Sequence, residues 1–301
     1  MLGSRTARLG LVTAALATAL ASACRSHSAP APSASVAPSA PAPLTSPSAV
    51  PEPLGAGAVL QRRLAGLEVF VDAEPPRPMV VPAEVRRVLV ELKDALLEST
   101  DRLLPSTLAQ TEPGAALGKA LANEGYLCSD QRMEQTALDV SVRALPKHRE
   151  RWGVTLCVLL NPGSDCVLAV YERREGELRR SLVIRSDLYD SIEGALQALT
   201  WTAAPPDERD HYYVLEAHTH PWPTSNFRKF WYRALAPSAE PETPIVLSSA
   251  HDSGRWTSGF RLEAELDRFS VTFDSASNDG PAFEKPNTQT WVKRGQRFVR
   301  R

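Results

Sequence analysis

Between Ala83 and Leu104 the larger apolar positions fall at Val85, Val88, Leu89, Leu92, Leu96 and Leu103. Spacings of three and four residues put them on one stripe, which predicts an amphipathic helix with Pro82 at its first position. A shorter helix is expected over Gly114–Asn123, and another over Glu134–Leu145, stopped by Pro146. Past Arg151 the period changes. Trp152–Leu160 and Cys166–Tyr171 are β-branched and apolar runs on either side of Asn161-Pro162-Gly163, a hairpin pattern. Leu178–Arg185, Tyr212–Ala217, Ile245–Ser248, Trp256–Leu262 and Phe269–Phe273 read as further strands, with a last edge over Val292–Val299. Helices are expected from Ser186-Asp187 to about Trp201, and from a Ser225 cap to Leu235. Interleaved strands and helices predict an α/β fold, a mixed sheet flanked by helices, with an N-terminal helical extension.

The N-terminus carries no such pattern. Arg5 and Arg8 precede the apolar stretch Leu9–Leu20 and the small residues Ala21-Ser22-Ala23, followed by Cys24. A positive region, a short apolar segment and a small-residue cut site predict an export signal over residues 1–24. A Cys directly after the small residues resembles a bacterial lipobox, which implies lipidation of Cys24 and anchoring to a membrane at the cell envelope; Ala21 stands where that pattern prefers Leu. Cleavage after Ala23 with Cys24 left free is the alternative. Residues 25–57 hold 8 Pro, 8 Ala and 7 Ser among 33 positions, too few apolar side chains to fold alone, so they read as a linker. Extended at about 3.1 Å per residue, such a tether reaches roughly 100 Å. The remaining chain divides into the helical extension, 58–132, and a domain, 133–301.

Composition removes whole classes of function. Ala58–Arg301 holds 31 basic and 34 acidic residues, so there is no global nucleic-acid footprint. Beyond the N-terminus no apolar run approaches the ~18 residues of a spanning helix. Cys128, Cys157 and Cys166 permit one disulfide and one free thiol, with the pairing open.

Chemistry concentrates in Glu216-Ala217-His218-Thr219-His220-Pro221 at the end of the Tyr212 strand. Side chains two apart share a strand face, so His218 and His220 form half of a zinc site. This His-Thr-His-Pro string resembles the corresponding segment of JAB/MPN (JAMM-type) metalloproteases. That family also carries a Glu-x-x-Gly where a strand follows a helix, matched by Glu150-Arg151-Trp152-Gly153. The resemblance covers about Met133–Leu262.

It implies zinc-assisted hydrolysis of a peptide or isopeptide bond in a peptide or protein substrate, with His218 and His220 as metal ligands. Glu150 is then the base and Ser225 the residue that stabilises the charged oxygen. One position departs from the pattern: Arg228 stands where the family has its ligating Asp, and a guanidinium cannot ligate zinc. Asp252, in Ser249-Ala250-His251-Asp252, is the expected third ligand, with His251 or Glu216 as alternatives. A binding module of the same fold without the chemistry, and a structural envelope lipoprotein, stand beside the hydrolase.

Overall fold

The strand Ser164–Arg174 is buried at eight consecutive positions, from Asp165 to Glu172. Its side chains alternate between two sides, so the sheet that contains it needs a cover on each face. The structure, a computed structural model, describes residues 55–67, 81–128, 136–148, 150–160, 163–185, 198–219, 227–255, 261–274 and 286–301. Within them both covers are visible.

The first sheet runs β1 (Leu138–Ala144), β2 (Arg151–Leu159), β3 (Ser164–Arg174) and β4 (Glu177–Arg185) in that order. Val154, Leu156, Val167, Ala169 and Tyr171 share one core with Leu89, Leu92 and Leu96 of helix α2 (Ala83–Thr107). Helices α1 (Ala56–Ala65) and α3 (Pro113–Asn123) contribute Leu64, Leu117 and Leu121 to the same core. The other parity of β3, Leu168 and Val170, joins Leu182, Ile184, Trp201, Val214 and Leu235. Those last three belong to the second sheet, β5 (Ala198–Ala203), β6 (Val214–Thr219), β7 (Phe227–Ala236) and β8 (Ile245–Arg255). Leu215, Ala217, Phe230 and Tyr232 then pack on Phe269, Val271 and Phe273 of a third sheet. Its strands are β9 (Arg261–Ala264), β10 (Arg268–Asp274), β11 (Pro286–Arg294) and β12 (Arg297–Arg300). The layers are helices, sheet, sheet, sheet, and every ladder is antiparallel.

The α/β class holds, with strands predominating, but several local expectations change. Glu134–Leu145 is not a helix: Leu138–Ala144 is strand β1, paired along its length with β2. Leu138, Val140 and Val142 alternate with polar residues, and edge pairing on β2 selects the two-residue period. Likewise Ser225–Leu235 is not a helix, because Phe227–Ala236 forms β7. Phe230, Tyr232 and Ala234 enter the core shared with the third sheet. Ala198–Ala203 is a strand where a helix end was expected; residues 186–197 lie outside the described residues. The single mixed sheet becomes three antiparallel ones. The presumed helical extension is one of the two covers of the first sheet, and α1 opens at Ala56, inside the span read as linker.

Several polar groups buried between layers have specific partners. The fully buried Gln61 of α1 donates to the carbonyls of Leu127 (2.8 Å) and Thr136 (2.7 Å) and accepts from the Leu127 N–H (2.7 Å). Lys93 of α2 and Asp165 of β3, both fully buried, meet at 3.2 Å. Cys157 and Cys166 stand opposite in the β2–β3 ladder and form the disulfide, leaving Cys128 as the free thiol. Between the first two sheets the Trp201 indole lies over Gly153, and its N–H donates to Thr155 Oγ1 at 2.9 Å.

The indole contact explains the glycine of the Glu-x-x-Gly string: a Cβ on Gly153 falls 2.2 Å from the Trp201 ring. Gly153→Ala is therefore expected to lower stability by about 1–3 kcal/mol, because a packed interface must open to admit one methyl group. A urea unfolding curve with a lower midpoint and unchanged slope checks this; an unchanged midpoint contradicts the packing role.

Candidate functional site

Glu216 and His218 project from β6 toward the first-sheet side, on the parity of Val214 rather than that of Leu215 and Ala217. Both are sealed from solvent, at 0% and 1% exposure. His218 Nε2 lies 2.5 Å from Glu216 Oε2, and Arg233, opposite Glu216 on β7, hydrogen-bonds the other carboxylate oxygen. The His218 ring stacks on Trp231, centroids 5.4 Å apart and 13° from parallel. Burial opposes charge on Glu216, yet His218 and Arg233 outweigh it and hold its carboxyl below the usual range. The other ring nitrogen, His218 Nδ1, is buried and has no hydrogen-bond partner among the described residues.

The other residues expected at this site have different addresses. Glu150 sits in the turn before β2 with φ 58°, and its carboxylate is exposed, 3.6 Å from Arg173 Nε. It belongs to the first sheet, His218 to the second. Asp252 is aligned with Phe230, on the face that packs against the third sheet, and accepts a hydrogen bond from Gln289 Nε2. It therefore faces away from His218, and the two do not share a cation. This corrects the third-ligand expectation: strand parity separates them. His251 shares the His218 face, but Trp231 stands between them in the ladder. Arg228 lies in β7, so the helix on which a ligating residue was expected is a strand. Cys24, His220 and Ser225 lie outside the described residues.

A tetrahedral zinc site needs three protein donors converging on one point. Among the described residues no three His, Cys, Asp or Glu side chains converge in this way. Of the expected ligands within the described residues, His218 presents one ring nitrogen and Asp252 points to the other layer.

A second polar cluster, not expected from the sequence, joins the ends of the first two sheets. Arg151, at the start of β2, donates to Glu172 (3.1 Å), to His148 Nδ1 (2.9 Å) and, through both terminal nitrogens, to Asp210 (2.7 Å for the first). His148 Nε2–H donates to the Ala204 carbonyl at 2.9 Å, which fixes the neutral tautomer. The Arg151 guanidinium lies over the Tyr212 ring at 4.8 Å, and Tyr212 Oη meets Ser181 Oγ at 3.0 Å. Burial pushes His148 below the ordinary imidazole value and raises Tyr212 to about 12; Arg151 pulls Asp210 down. Lys147, Glu150 and Asp210, around this cluster, hold left-handed backbone conformations (φ 59°, 58° and 66°) without being glycine. The only signal in the sequence was the basic run Lys147–Arg151, read there for Glu150 alone.

The cluster forms one wall of a groove of about 930 Å³. Tyr213, the start of β8, the β9–β10 turn and the β11–β12 turn supply the rest. This groove is an open concave surface, whereas Glu216 and His218 are sealed from solvent. No family model, no curated protein and no solved structure matches the chain.

Glu216, Asp210 and His148 all bind protons less readily folded than unfolded, so acid favours unfolding through each. The His148 contribution is present above its ordinary value of 6.5 and lost as pH falls below it. The carboxylate contributions are present above 4.5 for Glu216 and 3.8 for Asp210 and are lost below those values. Thermal melts between about pH 8 and pH 3 should therefore show a first decline just below pH 6.5 and a second, steeper one in the carboxylate range. His148→Gln is expected to remove the first decline and keep the second.

Proposed function

We propose that this chain is an exported module, tethered to the envelope membrane through lipidated Cys24, that binds a peptide or protein partner and performs no hydrolysis. The observation that carries this reading is the separate engagement of the expected catalytic groups. Glu150 is in the solvent-facing turn beside Arg173, Glu216 is locked by His218 and Arg233, and Asp252 is turned to the third sheet. A base that activates water has to reach that water, and a metal ligand has to face its metal. Here each of those groups is engaged elsewhere, and Asp252 ties the second sheet to the third through Gln289. The groove beside Arg151 gives such a module a place to bind.

One observation favours the metallohydrolase as the second reading. One ring nitrogen of His218 contacts the Glu216 carboxylate while the other has no hydrogen-bond partner among the described residues, an arrangement that resembles a carboxylate-oriented metal ligand. In that reading His218 and His220 would hold zinc, which would supply the Lewis acid for hydrolysis of a peptide or isopeptide bond.

Metal content of protein purified without a histidine tag, together with assays on peptide and isopeptide substrates, decides between them. The binding-module reading expects substoichiometric zinc and no turnover above the level of a Glu150→Gln variant. Stoichiometric zinc that is lost in His220→Ala, with turnover lost in Glu150→Gln, establishes the hydrolase instead.

A further inference from the structure

Ile245, Val246 and Leu266 are three of the six large apolar side chains left exposed among the described residues, and all three line the same groove. Ile245 and Val246 are 54% and 51% exposed although they are consecutive in a strand. Consecutive strand residues point to opposite faces, so the start of β8 is bare on both sides. It is bare at its edge as well. β8 pairs with β7, and among the described residues no strand pairs with its other edge. An open edge beside apolar side chains is a template for an added strand.

Charge specifies the occupant. Most carboxylates of the groove are already engaged: Glu172 with Arg151 and Arg174, Asp210 with Arg151, and Asp207 with His211 and two backbone N–H groups. Asp267 forms no ion pair among the described residues. Against it stand Arg209, Lys293 and Arg297, exposed on the groove and forming no ion pair among the described residues. The unmatched charge is positive, arranged around an apolar strand edge.

We infer that this groove binds an extended acidic segment of a partner protein as an additional strand on β8. Backbone pairing runs along the open edge, apolar side chains of the segment cover Ile245, Val246 and Leu266, and its carboxylates meet Arg209, Lys293 and Arg297. The inference deepens the binding-module reading and rests on it.

The probe is a fluorescein-labelled peptide of alternating glutamate and valine, with a lysine–valine peptide as control, read by fluorescence polarisation on the whole folded chain. The glutamate peptide is expected to bind and the lysine peptide to fail. Ile245→Lys/Val246→Lys and Lys293→Glu/Arg297→Glu should each weaken binding by about tenfold or more while the melting temperature stays at the wild-type value. Raising NaCl from about 50 to about 500 mM should weaken it several-fold. Equal affinity for both peptides, or variants that bind like wild type, overturns the inference.

A photo-crosslinking residue at Val246, compared with one at Val59 on α1 behind the first sheet, separates this inference from the reading beneath it. Adducts from position 246 that map to an acidic extended segment support the proposal, whereas an adduct to a second copy of this chain overturns it. Adducts from position 59 alone overturn the groove and leave a binding module. Adducts from neither position remove both.

Discussion

A strand that is apolar on both sides cannot stand at a surface, and β3 sets this requirement for the whole fold. Val167, Ala169 and Tyr171 demand one cover, Leu168 and Val170 another. Each fully buried side chain of this size contributes about 1.5–3 kcal/mol, so neither face can be left to water. Three helices meet the first demand. The second sheet meets the other, and because its far face carries Leu215, Phe230 and Tyr232 it needs a third sheet in turn. The succession of layers follows from that chain of exposed apolar faces and ends where the third sheet turns polar residues such as Arg261, Glu263 and Arg268 outward.

The polar groups between these layers make the same point in reverse. Moving a carboxylate out of water costs several kcal/mol, and a partner on each oxygen offsets that cost. Glu216 has Arg233 on one oxygen and His218 on the other, which joins β6 to β7 within the second sheet. Lys93 on α2 and Asp165 on β3 tie a helix to the first sheet, and Arg151 reaches from β2 to the exposed Asp210 in the loop before β6. Those two pairs run between layers and oppose sliding, which an apolar face alone permits.

How much of this was legible depends on range. The α2 stripe and the hairpin around Asn161-Pro162-Gly163 were readable because their determinants are local: period, capping and turn chemistry. The shared face of Glu216 and His218 was readable from strand parity, and the structure brings the two into contact. β1 and β7 were misread because Leu138–Ala144 and Phe227–Ala236 admit both periods, and only the partner strand chooses. Asp252 was placed with His218 by closeness in sequence, whereas its face depends on the ladder register with β7. The groove was not legible at all. Its wall at Arg151 and its floor at Ile245 come from different sheets, brought together only by packing.

The order of elements along the chain has a consequence for how the layers come together. α2 precedes every strand in the chain, and it carries Lys93 within its buried face. In the folded chain that ammonium is sealed from water and meets Asp165 of β3. A neighbour that covered the same face without a carboxylate at this point would bury the charge at a cost. The helix is thereby matched to β3 by charge as well as by shape.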